Sequence, residues 1–170
     1  GQHRSVYSAQ HLAQHLNEKY GIEVEITHRE QSIHSVLHAK KKAMIFAAGL
    51  GSRLKPITDH MPKALVEIAG KPLIEHVLRK LVLAGFNDIV INVHHFAEQI
   101  EQYLKQHQFS ADIIISDESD KLLETGGGLK KALNLFTNDD APILLHNVDI
   151  LSNADLDTFY NESKDKLAHL

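Results

Sequence analysis

The chain has 170 residues, 43% hydrophobic and 24% charged, with 18 basic against 22 acidic side chains, a net charge of −4 and no cysteine. That balance suits a globular domain and excludes a polycation built for nucleic acid, a disulfide scaffold, a thiolate-ligated zinc site and thiol catalysis. No apolar run approaches the roughly 20 residues of a membrane-spanning helix, and the N-terminus lacks the apolar core of a signal peptide, so a reducing, cytoplasmic setting with no membrane partner is the default.

In chain order, Ser5 can cap a helix running to about Lys19, with Val6, Ala9, Leu12, Ala13 and Leu16 on one face and Gly21 after its end. Ile22, Val24 and Ile26 then alternate with Glu23, Glu25 and Thr27, the period of a half-buried strand. Residues 31–42 are weakly helical, end in Lys40-Lys41-Lys42 and read as a linker. Six of the 13 histidines precede residue 42; His11 and His15 share a helix face at metal spacing, but a site there would need further ligands.

From residue 43 the rhythm changes. The runs Ala43–Ala48, Asp88–Val93, Ala111–Ile115 and Pro142–Leu145 have strand length and aliphatic content. Between them, Pro72–Leu83, Ala97–Gln106 and Leu129–Phe136 carry helical periodicity, with Pro72 suited to a first turn and Gly85 to a helix end. A final helix is expected around Ala154, Leu156, Phe159 and Tyr160. Strand alternating with helix predicts βαβ units and a mostly parallel sheet covered on both faces.

The first of these strands runs into Ala47-Ala48-Gly49-Leu50-Gly51-Ser52-Arg53-Leu54. Glycines after a parallel strand let backbone N–H groups approach phosphate oxygens closely. Leu54 occupies the place of the third glycine of a dinucleotide fingerprint, and Lys55-Pro56 does not supply the Gly-Lys-Ser/Thr of a P-loop. Arg53 in the loop and Lys63 after Pro62 are two cations that suit a triphosphate. A plain glycine-rich turn with solvated cations is the competing reading.

Residues 47–72, AAGLGSRLKPITDHMPKALVEIAGKP, resemble the signature of sugar-phosphate nucleotidyltransferases, G-x-G-x-R followed by P-K-x-L and G-K-P. The segments Ile91-Asn92-Val93-His94-His95, Leu123-Glu124-Thr125-Gly126-Gly127-Gly128 and Asn147-Val148-Asp149 resemble the branch that includes N-acetylmuramate-1-phosphate uridylyltransferase. The resemblance spans residues 42–158 and implies a three-layer α/β/α Rossmann-like fold. It also implies transfer of a nucleoside monophosphate, UMP from UTP in the first instance, to a sugar 1-phosphate with release of pyrophosphate.

On that resemblance Ala48, Gly49, Gly51, Ser52 and Arg53 wrap the triphosphate, and Arg53 holds the departing pyrophosphate. Lys63 sits near the α-phosphorus, Gly126 and Gly127 meet the base and ribose, and Asp149 binds Mg²⁺. For the residues alone, Asp149 reads as a helix cap, the triple glycine could be a flexible turn opening a helix, and Glu124 could cap that helix or accept from a ligand donor. His94, His95 and His146 end strands on the ligand edge but are left outside the metal site, and Lys71 reads as structural. A mannose-1-phosphate guanylyltransferase-like enzyme is the alternative within the class; a non-catalytic nucleotide-sensing or RNA-adapter module is the alternative outside it.

Members of this family continue well beyond the first metal aspartate, so the sugar-binding half is expected to be missing and residues 43–170 to form the nucleotide half. Gly1 in place of an initiating Met also points to a piece of a longer protein. Gly1-Gln2-His3-Arg4-Ser5-Val6-Tyr7 and Thr27-His28-Arg29-Glu30 resemble the tail of a RapZ-type C-terminal domain, which would make residues 1–30 a fragment of an adapter.

Overall fold

The computed structural model describes residues 40–136 and 141–162, together with 15, 25–27 and 34–36. The chain divides into two compact units, Gly1–Ala39 and Lys40–Leu170. In the first, strand β1 (Glu25–Thr27) pairs antiparallel with β2 (His34–Val36), Glu25 opposite Val36 and Thr27 opposite His34. The expected helix from Ser5 to Lys19, of which only His15 is described, and the Gly1–Tyr7 loop lie outside the described residues. Residues 34–36, expected to be weakly helical linker, are instead a strand. Pairing with a neighbouring extended segment overrides a weak local propensity.

The second unit is built on four parallel strands. They are β3 (Lys41–Phe46), β6 (Phe86–Val93), β7 (Asp112–Asp117) and β8 (Ile143–Asn147), in the order β7-β6-β3-β8. A short antiparallel pair, β4 (Glu67–Ile68) and β5 (Lys71–Pro72), precedes the first helix. The central strands read as continuous aliphatic runs because both faces are covered; Ala43, Met44, Ile45, Ile89, Val90 and Ile91 are completely buried. Lys41 and Lys42, expected to end a linker, belong to β3. Lys41 Nζ donates to Ala84 O at 3.0 Å and to Asp157, lying 5.7 Å from the centre of the Phe86 ring. The cation thus ties the start of the strand to the turn at Ala84 and to the helix Leu156–Glu162.

Helices α1 (Leu73–Leu83), α2 (Ala97–Gln106) and α4 (Leu156–Glu162) cover one face, packing Ile74, Val77, Leu78, Leu81, Ile100, Leu156 and Tyr160 on Ala43, Ile45, Ile89, Ile91 and Leu144. Helix α3 (Glu124–Ala132), continued by a 3₁₀ turn at Leu133–Leu135, covers the other and packs Ala132 and Phe136 on Met44 and Val90. The result is the expected three-layer α/β/α fold.

One boundary differs. Helix α3 begins five residues before the expected Leu129, so the triple glycine lies inside the helix rather than ahead of it. Glycine disfavours a helix by about 1 kcal/mol per residue. Here tertiary contacts set the start: the Leu123 N–H is taken by the buried Glu118 carboxylate at 3.1 Å.

Candidate functional site

After β3 the chain visits β6 and β7 on one side, then crosses back to place β8 on the other side of β3. This reversal opens a crevice at the carboxyl edge of β3 and β8, the place where open α/β sheets take ligands. A cavity of about 360 Å³ sits there. It is lined by Phe46 to Gly49 after β3, by Asn147 to Asp149 after β8, and by Asn92, Glu118, Glu124 and Thr125. The register explains the lining: Phe46 lies level with both Asn92 and Asn147, so all three point to the face that α3 covers. His146, one residue earlier, points the opposite way. It lines a separate small cavity with His76 and Lys80, and burial pushes its pKa below the usual histidine range. Alternation along the strand, not distance from its end, removes it from the crevice.

Residues 47–66 bring two cations back to this edge through three short 3₁₀ turns, Ser52–Leu54, Ile57–Asp59 and Lys63–Leu65. Gly51 sits at φ 66°, and a Cβ there would lie 2.8 Å from Thr58 Cγ2. The hydroxyl of the same threonine donates to Gly51 O at 2.8 Å. The loop therefore needs glycine at 51 on both conformational and steric grounds. Arg53 and Lys63 line the main cavity and also a second one of about 320 Å³ beside it, formed by Gly49 to Leu54 with Lys63 and Leu122. The two cations are shared by both cavities, the second of which is walled by the glycine loop.

Lys63 Nζ donates to Asp149 Oδ2. That bond, followed by the nearby charges of Lys63 and Arg53, holds the Asp149 carboxyl below its ordinary range despite partial burial. Arg53 has no hydrogen-bonded partner among the described residues. Three charged groups thus meet at the mouth of one crevice, net positive, with backbone N–H groups of the glycine loop beside them. Such a place attracts a polyanion.

Ala48, Gly49, Arg53, Lys63 and Asp149 line the main cavity, and Gly51 and Ser52 line the second. Gly126 and Gly127 line neither; they lie in the first turn of α3, behind Glu124 and Thr125. Gly128 is the constrained member of the triplet, since a Cβ there would lie 2.7 Å from Glu118 Oε1 and 3.0 Å from Asn92 Nδ2. Lys71 stays away from both cavities, 3.9 Å from Glu75.

Sequence reasoning missed a buried relay beneath the site. The Ala47 N–H donates to Asn92 Oδ1 at 2.8 Å, and Asn92 Nδ2 donates to Glu118 Oε1 at 2.9 Å. Glu118 Oε2 accepts the Leu123 N–H. His94 Nδ1–H donates to Glu118 O at 2.6 Å. The relay locks the exits of β3, β6 and β7 and the entrance of α3 into one frame. Asn92 and Asn147 were findable as amides at the carboxyl ends of aliphatic strands. Glu118 was not, because Ser116-Asp117-Glu118-Ser119-Asp120 reads as a solvated turn, whereas Glu118 is 1% exposed.

Among the described residues no group of three or more His, Asp or Glu converges to hold a metal, and no helix is long and apolar enough to cross a membrane. Asp149 is a single carboxylate in a net-positive crevice, an arrangement that fits a hard cation only if its other ligands come from a bound molecule and water.

The chain is 47% identical over 114 residues to an N-acetylmuramate alpha-1-phosphate uridylyltransferase of Caulobacter vibrioides, covering 65% of this chain and 46% of that protein. It is 39% identical over 112 residues to a mannose-1-phosphate guanyltransferase of Gibberella zeae, covering 65% of this chain and 30% of that one. A crystal structure of HddC from Yersinia pseudotuberculosis complexed with GMP-PN superposes with a TM-score of 0.65 at 26% identity, over 74% of this chain and 55% of that one. The chain spans about half the length of the uridylyltransferases it matches. Residues 42–169, which hold the crevice, both cations and Asp149, match the family described as Nucleotidyl transferase, and the chain belongs to that family.

Proposed function

We propose that residues 40–170 form the nucleotide-binding half of a sugar-1-phosphate nucleotidyltransferase, with UTP as the donor. The carrying observation is the meeting of Arg53, Lys63 and Asp149 with the Gly49–Gly51 loop at the switch point of the sheet. In the proposed reaction a phosphate oxygen of the sugar 1-phosphate attacks the α-phosphorus of the triphosphate. The bond from that phosphorus to the β-bridging oxygen breaks, and pyrophosphate leaves. The attacking oxygen is already ionised, so no side-chain base is needed; the protein's work is neutralisation and alignment.

Ala48, Gly49, Gly51 and Ser52 cradle the phosphates with backbone N–H groups, and Arg53 holds the leaving pyrophosphate. Lys63 leaves Asp149 for the phosphate at the reacting centre. Asp149 would hold Mg²⁺, whose chemistry is to neutralise phosphate oxygens. The base and ribose lie against Glu124 and Thr125, which line the same cavity, with Gly126 and Gly127 behind them. UTP is favoured by the similarity to the uridylyltransferase. A guanylyl donor with mannose 1-phosphate is the second reading, supported by the similarity to the guanyltransferase. The adapter resemblance of residues 1–30 and a cytoplasmic setting are part of the proposal on sequence grounds alone; the family match begins at residue 42.

The test is the thermal stability of the chain titrated with UTP, GTP, CTP and ATP, with and without Mg²⁺. A ligand at 100 times its dissociation constant adds about 2.7 kcal/mol. A base-selective response enhanced by Mg²⁺ supports the reading, and no response to any triphosphate refutes it.

A further inference from the structure

Glu124 adopts φ 58°, the left-handed region that L residues with a side chain avoid. It does so at the first position of α3 although glycine, free of that penalty, fills three of the next four positions. Its side chain does not cap the helix. Glu124 is exposed at the cavity wall, and among the described residues its carboxylate has no hydrogen-bond or ion-pair partner. An acid in a first turn gains only modestly from the helix dipole, by an amount no larger than the backbone penalty. Water can solvate the carboxylate, but no contact within the chain offsets the backbone cost of a residue other than glycine at this position.

The cavity supplies a reason for glutamate. Arg53 and Lys63 line the same cavity and attract phosphates; the Glu124 carboxylate, an acceptor only, repels them. The part of a nucleoside triphosphate that does match it is a neutral donor, either the ring N–H of the base or a ribose hydroxyl. No side chain caps the start of α3, so its first-turn N–H groups remain for an acceptor on the same nucleoside.

We infer that Glu124 is a specificity-determining residue, its carboxylate accepting a hydrogen bond from a donor group of the bound nucleoside. This rests on the reading of the cavity as a nucleoside triphosphate site. The backbone strain at Glu124 is then maintained for recognition, and stability and affinity respond to its replacement in different directions.

The experiment is calorimetric titration of the chain, and of Glu124→Gly and Glu124→Gln, with UTP, N3-methyl-UTP and 2′-deoxy-UTP in the presence of Mg²⁺, alongside their melting temperatures. Glu124→Gly is expected to keep or raise the melting temperature while UTP affinity falls about tenfold to a hundredfold, the factor for one charge-assisted hydrogen bond. Glu124→Gln, which retains a neutral acceptor, should lose less. The analogue lacking the donor should bind the parent weakly and Glu124→Gly no more weakly still. If that is N3-methyl-UTP the partner is the base, and if 2′-deoxy-UTP it is the ribose. Unchanged UTP affinity in Glu124→Gly would overturn the inference and leave the triphosphate site standing. A lowered melting temperature with unchanged discrimination between the analogues would assign Glu124 a structural role and overturn it too. No UTP binding by the parent would overturn both.

Discussion

The three consecutive glycines of α3 look interchangeable in the sequence, yet the structure predicts opposite signs for substituting two of them. Gly126 is exposed with nothing within 4 Å of a built Cβ. Gly126→Ala should gain helix propensity, up to about 1 kcal/mol. Gly128 is buried, and its Cβ would lie 2.7 Å from Glu118 Oε1. A carboxylate at the end of a free side chain would swing aside, but this one is held by Asn92 at 2.9 Å and by the Leu123 N–H at 3.1 Å. Moving it by several tenths of an ångström breaks at least one of those bonds and leaves a buried donor unpaired, at about 1–3 kcal/mol each. After a propensity gain of about 1 kcal/mol, Gly128→Ala should be destabilised by up to about 2 kcal/mol if one bond is lost and by about 1–5 kcal/mol if both are. The melting temperature should fall by roughly 2–4 °C for each kcal/mol at this chain length. Urea denaturation followed by circular dichroism measures both variants. If Gly128→Ala proves as stable as Gly126→Ala, the relay from Ala47 to Leu123 is not the rigid frame described above.

The two cations and the acid give separate tests. Arg53→Ala should reduce affinity for Mg²⁺-UTP about tenfold or more with an unchanged melting temperature, because the guanidinium is exposed and unbonded among the described residues. Lys63→Ala should reduce it comparably, with a stability change within about 1 kcal/mol, as expected for a pair whose side chains remain 20% and 40% exposed. Unaltered affinity in both variants would remove the phosphate role of the loop. Asp149 has a depressed carboxyl pKa in the fold. Its pairing with Lys63 therefore stabilises the protein above the unfolded carboxyl pKa of about 4 and loses that contribution as pH falls further. The difference in urea midpoint between the parent and Asp149→Asn should be constant from pH 7 to 5 and shrink below pH 4. A difference that persists to pH 2 would mean that the charge of Asp149 carries none of it.

Much of the fold is legible in the amino-acid sequence. The aliphatic runs at 43–48, 88–93, 111–115 and 142–145 and the periodic stretches between them are local signals, and each forms a strand or helix within a few residues of its expected place except α3, which begins at Glu124 rather than Leu129. Arg53, Lys63 and the Gly49–Gly51 loop are legible for the same reason: a glycine turn directly after a parallel strand has a narrow range of uses. What stays hidden depends on which distant groups meet. The N-terminal end of α3 is set by Glu118, which is held by Asn92 and His94 at the end of β6, more than twenty positions earlier in the chain. His146 and Asn147 are neighbours with equal claims on the ligand edge until the pairing of β8 with β3 turns one toward α1 and the other toward the crevice. Lys41 reads as linker charge until Asp157 and the Ala84 carbonyl arrive from residues far along the chain. The sequence by itself determined the layers and the cationic glycine loop, because periodicity and turn chemistry act over a few residues. The tertiary structure alone decided the frame beneath that loop and the face each strand-end side chain meets, because hydrogen bonding and register join residues up to 116 positions apart.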